Sequence, residues 1–441
     1  MGNDIERPTR RVLWFSNVPL GEGPSVLNTA STVFGGWLDG MLGQLVGAAG
    51  FQFDVAYPAN GPFRSGSGEH ATYHTFGSAR FGGRQSGRVA ERIEAIIGEV
   101  RPDLVHVFGT EALHSETVVQ LCREKGIPCL VQIQGVMNSI ARHHDAWLPR
   151  ILGRIATPAE LVARKSARSR AKVYRRAAAR ERRTLGQARF VLGRTSYDRS
   201  WVRQMNPKAI YYHSDENLRP VFYDAQWKLG TQNRNKLLFS QPAISYKGAH
   251  VAIKALPEVL REVPDTELVM IGKDPIGGPG LVSLVRRTTY GWYLWALLRK
   301  YGVKDKVRFV GTLGEEQVRD AYLASHIFLS CSSVENSSNA VSEAQLLGMP
   351  VVASDVGGTR SLVADGQDGV LYAGGSAPDL AKSVLGLLSD DDRAADLGYA
   401  AHGRSMERHD RARNSGHLLR IYEDVLCSIP DMPITGRAGH S

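Results

Sequence analysis

The chain has 441 residues, 43% of them apolar and 22% charged, a balance that fits a soluble globular protein with two domains of about 200 residues each. No run approaches the length of about 18 uninterrupted apolar residues that a membrane-spanning helix needs. The net charge of +10 is uneven, because 17 Lys/Arg stand against 3 Asp/Glu (Glu160, Glu181, Asp198) between residues 150 and 208, and the remainder is slightly acidic.

The charged opening MGNDIERPTRR runs straight into a strand-like VLWFS, so no secretory signal is expected and the chain is read as cytoplasmic. Cys122, Cys129, Cys331 and Cys427 form no C-x-x-C pair and have no neighbouring histidines at metal spacing. They read as reduced thiols, and neither a metal nor a cofactor is expected.

Residues 11–17 read as a buried strand, followed by a Gly/Ser-rich loop that ends at Gly35-Gly36 and leads into a helix. Strands follow at 51–57, 104–109 and 128–134, with helices at 89–100 and 113–125 between them. His106 lies inside the third strand, where it faces either a ligand or the core, and Glu111 stands at its carboxyl end. The basic stretch reads as one helix over 158–185, then come strands at 190–195 and 209–213. Alternating strands and helices of this length argue for an α/β fold with a doubly wound parallel sheet. The basic stretch is either a solvated helical face or a contact with an anionic bilayer or an anionic acceptor. Nucleic acid is excluded, since the aromatics are not interleaved as stacking needs.

The polar segment 224–235 has no periodicity and marks the junction between a first domain (1–224) and a second (225–412). A helix over 413–428 is expected to cross back to the first domain, and 429–441 to form a disordered tail. The second domain opens with a strand at 236–240, then Tyr246-Lys247-Gly248 and a helix over 249–263. Strands at 267–272 and 307–313 end in Gly272-Lys273 and Gly311-Thr312-Leu313. The aromatic segment 282–301 between them reads as a core-packed or an interfacial helix.

The stretch 327–358 carries the chemistry. A short strand is followed by the polar turn Ser332 to Asn339, a helix over 340–347 stopped by Gly348 and Pro350, and a further strand. This unit sets a helix N-terminus at the carboxyl edge of a parallel sheet, where free backbone N–H groups hold anions. Glu335 and Glu343 flank that tip, suited to accept hydrogen bonds from hydroxyls on either side of a phosphate.

Glu335-x7-Glu343 followed by LLGMPVVASDVGG resembles the signature of the retaining glycosyltransferases of family 4, the group 1 transferases. The segment from Gly193 to Tyr223 looks closest to transferases that assemble capsular and exopolysaccharide repeat units. The resemblance implies the GT-B fold, two Rossmann-like domains facing a cleft, and no obligatory metal or enzymic nucleophile. It implies transfer from a nucleotide-sugar to a glycan or lipid-linked acceptor, on the inner face of a membrane if the basic stretch makes that contact.

It further implies that Lys247, with backbone N–H groups of Ser337, Ser338, Asn339 and Ala340, holds the leaving diphosphate. Glu335 would then hold the donor sugar and Glu343 the ribose. Gly35 and Gly36 would let the first loop approach the phosphate, while Lys273, Thr312 and Leu313 would lie near the base. His106 and Glu111 would face the acceptor side. The family's arginine about six residues before the lysine is missing, with Ser240, Gln241 and Pro242 in its place, and Lys273 or Arg360 stands as a substitute. Two other readings are an epimerase of the same fold and a non-catalytic partner subunit.

Overall fold

The computed structural model describes residues 9–428 apart from 33–34, 49, 78–84, 231 and 278–279. The tail expected over 429–441 lies outside the described residues.

The first domain is built on β1 (Arg10–Phe15), β2 (Phe51–Ala59), β3 (Ser65–Ser67), β4 (Thr72–Gly77), β5 (Leu104–Phe108), β6 (Cys129–Gln132), β7 (Phe190–Gly193) and β8 (Ile210–His213). They form one sheet in the order β3-β4-β2-β1-β5-β6-β7-β8, parallel except where β3 pairs antiparallel with β4. β1, β5 and β7 are near-continuous apolar runs because helices cover both faces of the sheet. Ile93, Ile96 and Ile97 of the Gln85–Val100 helix recur at helical spacing and pack with Val105 and Val107 of β5.

The second sheet contains β9 (Asn233–Ser240), β10 (Glu267–Ile271), β11 (Val307–Gly311), β12 (Ser325–Ser330), β13 (Val351–Ser354) and β14 (Val370–Tyr372), ordered β11-β10-β9-β12-β13-β14 and all parallel. Its chain order reverses between β9 and β12, which places the crevice at their carboxyl ends. The Ala249–Glu262 helix fills one face with Val251, Ile253, Leu256 and Val259.

Two expected elements are divided. The helix expected over 158–185 is a short helix, Pro158–Val162, and a long one, Ala167–Gln187, because Ser166 caps a new start by accepting from the Ser169 N–H. The aromatic segment is likewise split into Leu281–Arg286 and Thr289–Tyr301, with Thr288 as the second cap.

The Arg411–Cys427 helix packs on Gly36–Leu45 in the first domain. Its Tyr422 is fully buried there, and the hydroxyl accepts from the Trp14 indole at 3.0 Å. Among the described residues no helix is long and apolar enough to cross a membrane.

Candidate active site

The turn that leaves β12 sets the geometry of the second domain's edge. Cys331 to Ser338 cross the carboxyl end of the sheet and hand over to the Asn339–Leu347 helix. Ser338 is the N-cap residue but supplies no side-chain cap, so the first-turn N–H groups remain directed at whatever approaches the helix tip.

The Ser245–Lys247 turn lies against this crossing. Gly248 ends it at φ +84, and a Cβ there would fall 1.9 Å from the Cys331 carbonyl oxygen, so only glycine allows the contact. The Ser333 N–H donates to the Tyr246 carbonyl at 2.7 Å and fixes the register. Lys247 then reaches Glu335, Nζ to Oε2 2.6 Å, and the Ser332 hydroxyl donates to the same oxygen at 3.1 Å. From the other side the Gly358 N–H donates to the Glu335 carbonyl at 3.0 Å. The two residues assigned to the diphosphate and the donor sugar are thus already in contact.

Beside them, a cavity of about 240 Å³ lies between the domains. Gly35, Gly36 and Arg219 come to it from the first domain, and Thr312, Leu313, Asn339, Ala340 and Glu343 from the second. Gly36, which opens the Gly36–Leu45 helix, comes so close to the second domain that an added Cβ would lie 2.6 Å from a Glu315 carboxylate oxygen. Ser337 and Ser338 lie just before the helix, outside the cavity walls, as does the Lys247–Glu335 pair itself.

Glu343 is not open to solvent. It is buried, and Arg219 grips it through two bonds, Nε to Oε1 2.7 Å and Nη2 to Oε2 2.8 Å. Burial pulls the guanidinium toward its neutral form, but the Glu343 carboxylate outweighs that and holds Arg219 above its usual range. Sequence reasoning passed over Arg219 because it stands alone in the linker after β8. Its only signal was a cation next to Pro220 at the domain junction.

The substitutes for the missing arginine fare poorly. Gln241 does line the cavity, uncharged, with its N–H donated to the Ile271 carbonyl. Lys273 is exposed on the loop after Gly272 and is not part of the cavity wall. Arg360 is exposed and paired with Asp355. Arg219 is the cation that lines this cavity.

On the first domain's edge, Glu111 lines a larger cavity of about 900 Å³ together with Asn17, His114 and Met137. Its carboxylate accepts from the Thr110 N–H at 2.9 Å and from Asn17 at 3.4 Å. Burial, with a smaller push from Glu181, raises its carboxyl above the ordinary range. Glu181, counted in the sequence only as an acid within a basic run, is a buried brace. It accepts from the Met137 and Asn138 N–H groups at 2.9 and 2.8 Å and from the Asn138 side chain at 2.6 Å.

His106 needs correction. It has no exposed surface, and its Nδ1 shares a hydrogen bond with the Tyr422 hydroxyl at 2.7 Å, inside the aromatic cluster of Trp14 and Phe108. Burial lowers its pKa to about 3. It is the core histidine of its strand and lines neither cavity.

The domains meet through specific polar contacts. Thr195 Oγ1 donates to Asn336 Oδ1 at 2.7 Å, and Asn336 Nδ2 donates to Asp198 at 3.1 Å. Trp147 lies over Gly374 and Gly375, where a Cβ would come within 2.9 and 2.5 Å of its ring. A third cavity, about 490 Å³, also spans the domains, with Arg150, Arg154 and Arg170 on one side and Ser245 and Thr289 on the other.

Comparison with known proteins follows this geometry. Residues 224–404 match the family model of the glycosyl transferases group 1. That match covers the second domain, including Lys247, Glu335 and Glu343. The chain is 35% identical over 165 residues to D-inositol 3-phosphate glycosyltransferase 2 of Catenulispora acidiphila, covering 37% of this chain and 38% of that protein. It spans between about a third and a half of the length of the curated relatives it matches. Among solved structures it is similar to sucrose-phosphate synthase from Thermosynechococcus elongatus, with a TM-score of 0.66 at 16% identity over 95% of this chain and 100% of that one. It is also similar to Anabaena HepE in complex with UDP-glucose, with a TM-score of 0.63 at 16% identity over 94% and 99% of the two chains. The fold is GT-B, as the sequence led us to expect.

Proposed function

We propose that this protein is a retaining glycosyltransferase of family 4. It would move a sugar from a nucleotide diphosphate sugar to a hydroxyl of a glycan or lipid-linked acceptor, in capsule, exopolysaccharide or related cell-surface polysaccharide synthesis. The observation that carries this reading is the 2.6 Å contact of Lys247 with Glu335 beside the uncapped Asn339–Leu347 helix tip. A cation and aligned N–H groups converge where a departing diphosphate gathers charge.

In this reading Lys247 and the N–H groups of 337–340 take the diphosphate, which frees Glu335 to hold hydroxyls of the donor sugar. Glu343 faces the ribose, and Thr312 and Leu313 the base. Glu111 stands on the acceptor side, in the larger cavity of the first domain. The UDP-glucose held by HepE, which has the same fold, supports a nucleotide-sugar donor.

The experiment is a nucleotide-release assay over a panel of UDP-, GDP- and ADP-sugars, with and without glycan acceptors, followed by assignment of the product anomer by NMR. An acceptor-independent 2-epimer would instead identify an epimerase. No nucleotide binding at millimolar concentration would identify a non-catalytic subunit.

A further inference from the structure

Half of the large apolar side chains exposed among the described residues lie on two touching segments. Ile151, Ile155, Leu161 and Val162 belong to the stretch that precedes the long Ala167–Gln187 helix, and Leu284 and Val285 to the Leu281–Arg286 helix. The Pro158–Val162 helix packs against Leu281–Arg286, so these residues share one region of the surface. Val162 is 88% exposed, Val285 65% and Leu161 63%, levels at which an apolar side chain leaves most of its surface in water.

The charge around them has one sign. Arg150, Arg154, Arg164, Lys165, Arg168 and Arg286 are all exposed, and among the described residues none of their side chains is engaged in a hydrogen bond or ion pair. The acid within this stretch, Glu160, is 2% exposed and taken up by Arg170, Thr289 and its own helix N-terminus. Asp145, on the wall of the 490 Å³ cavity, is exposed, and Asp274, on the loop before the Leu281–Arg286 helix, is half-buried beside Arg287. The sequence R-I-L-G-R-I at 150–155 alternates the two chemistries directly.

We propose that this surface docks on an anionic lipid bilayer. The apolar side chains enter the headgroup layer while the unpaired arginines and lysine meet lipid phosphates. Charge decides the occupant. Two copies of this chain placed face to face would oppose like charges, and a bilayer of anionic lipid answers both the apolar centre and the cationic rim. The site expected along the whole basic stretch narrows to its first third plus one helix of the other domain. The long Ala167–Gln187 helix turns much of its own charge to other tasks, with Arg182 on Asn138 and Arg183 on Glu116. The proposal does not depend on the transferase reading.

The test is sedimentation of the full chain with vesicles of phosphatidylcholine, alone or mixed with phosphatidylglycerol. We expect binding to the mixed vesicles to exceed that to neutral ones by at least about tenfold at low salt and to weaken as salt rises. Leu161→Asp with Val162→Asp should lower binding by about tenfold at every salt concentration, with nucleotide release in free solution unchanged. Arg150→Glu with Arg154→Glu should lower it and flatten the salt dependence. A Val162→Cys protein carrying an environment-sensitive fluorophore should shift to the blue on mixed vesicles alone. The proposal is overturned if the wild type stays in the supernatant with mixed vesicles at low salt, or if both double variants bind as the wild type does. It is equally overturned if the Asp substitutions abolish a dimer while lipid binding is absent.

Discussion

Nζ of Lys247 lies 2.6 Å from Oε2 of Glu335, across 88 residues of sequence and one tight turn. Side-chain exposures of 19% and 12% leave both groups reachable from the cleft. Both side chains are nonetheless mostly out of solvent, so removing one partner costs more than the roughly 0–1 kcal/mol of a surface pair, about 1–3 kcal/mol for the charged group left without its bond. Lys247→Ala and Glu335→Gln should each lower transfer by about 10²–10³-fold, the size of a lost charge-stabilising group. Their melting temperatures should fall by only a few degrees. The double variant should lose no more than the worse single one, because the two act on one reacting unit. Nucleotide-release kinetics beside thermal melts check this; a large drop in melting temperature with intact kcat would make the pair structural.

Arg219 and Glu343 form a clamp between the two domains, and Glu343 is buried. Arg219→Ala leaves a buried carboxylate without its cation, a loss of about 3–5 kcal/mol. Glu343→Gln with Arg219→Met removes both charges and should cost much less. If Glu343 also holds the ribose, Glu343→Gln should raise the donor KM several-fold with kcat changed less. Chemical denaturation and donor titrations read the two effects separately, and a KM equal to the wild type's would remove Glu343 from the donor site.

Gly248→Ala tests the turn itself. A methyl group at φ +84 facing a carbonyl 1.9 Å away must push the Ser245–Lys247 turn off the Cys331 backbone. Strain of this kind costs about 1–3 kcal/mol, and the displacement should carry Lys247 away from Glu335. Stability and transfer should therefore fall together, and backbone displacement should accompany the loss, which Lys247→Ala does not cause. Gly98→Ala, inside the Gln85–Val100 helix where an added Cβ meets nothing within 4 Å, is the control and should leave transfer unchanged while raising stability by about 0.5–1 kcal/mol.

Much of this was legible in the chain. Strand and helix periods gave both sheets, since fully buried parallel strands must be apolar runs and their covering helices amphipathic. The Glu335–Glu343 spacing located the helix tip because both acids sit at fixed offsets from one N-cap. What escaped was anything set by the meeting of distant segments. Arg219 becomes a partner of Glu343 only when the linker after β8 folds across the cleft. The Tyr422 hydroxyl that occupies His106 comes from a helix 316 residues later in the chain. No local pattern marks either. The break at Ser166 was misread for a different reason: arginine-rich sequence keeps high helix propensity on both sides of a capping serine.

The corrected role of His106 has a consequence for acid stability. Burial lowers its pKa to about 3, far below the value near 6.5 of an unfolded histidine. Its folded-state pKa is depressed, so as the pH falls the unfolded chain takes up the proton and the native state does not. The contribution of this group is complete above about pH 6.5 and is lost progressively below it, by about 1.4 kcal/mol per pH unit. His114, His250 and His409, lowered by burial to about 4, 3 and 4, act in the same direction. Glu216, pushed up to about 7 by burial, acts in the opposite one. A variant isolates the term from this mixture. His106→Asn keeps a hydrogen-bonding group for the Tyr422 hydroxyl at the δ position but carries no titrating group. Denaturant unfolding of both proteins between about pH 7 and about pH 5 should show the wild type losing stability faster, by about 1.4 kcal/mol for each pH unit below 6.5. Parallel curves would mean that His106 is protonated in the folded state, and the core assignment would fail.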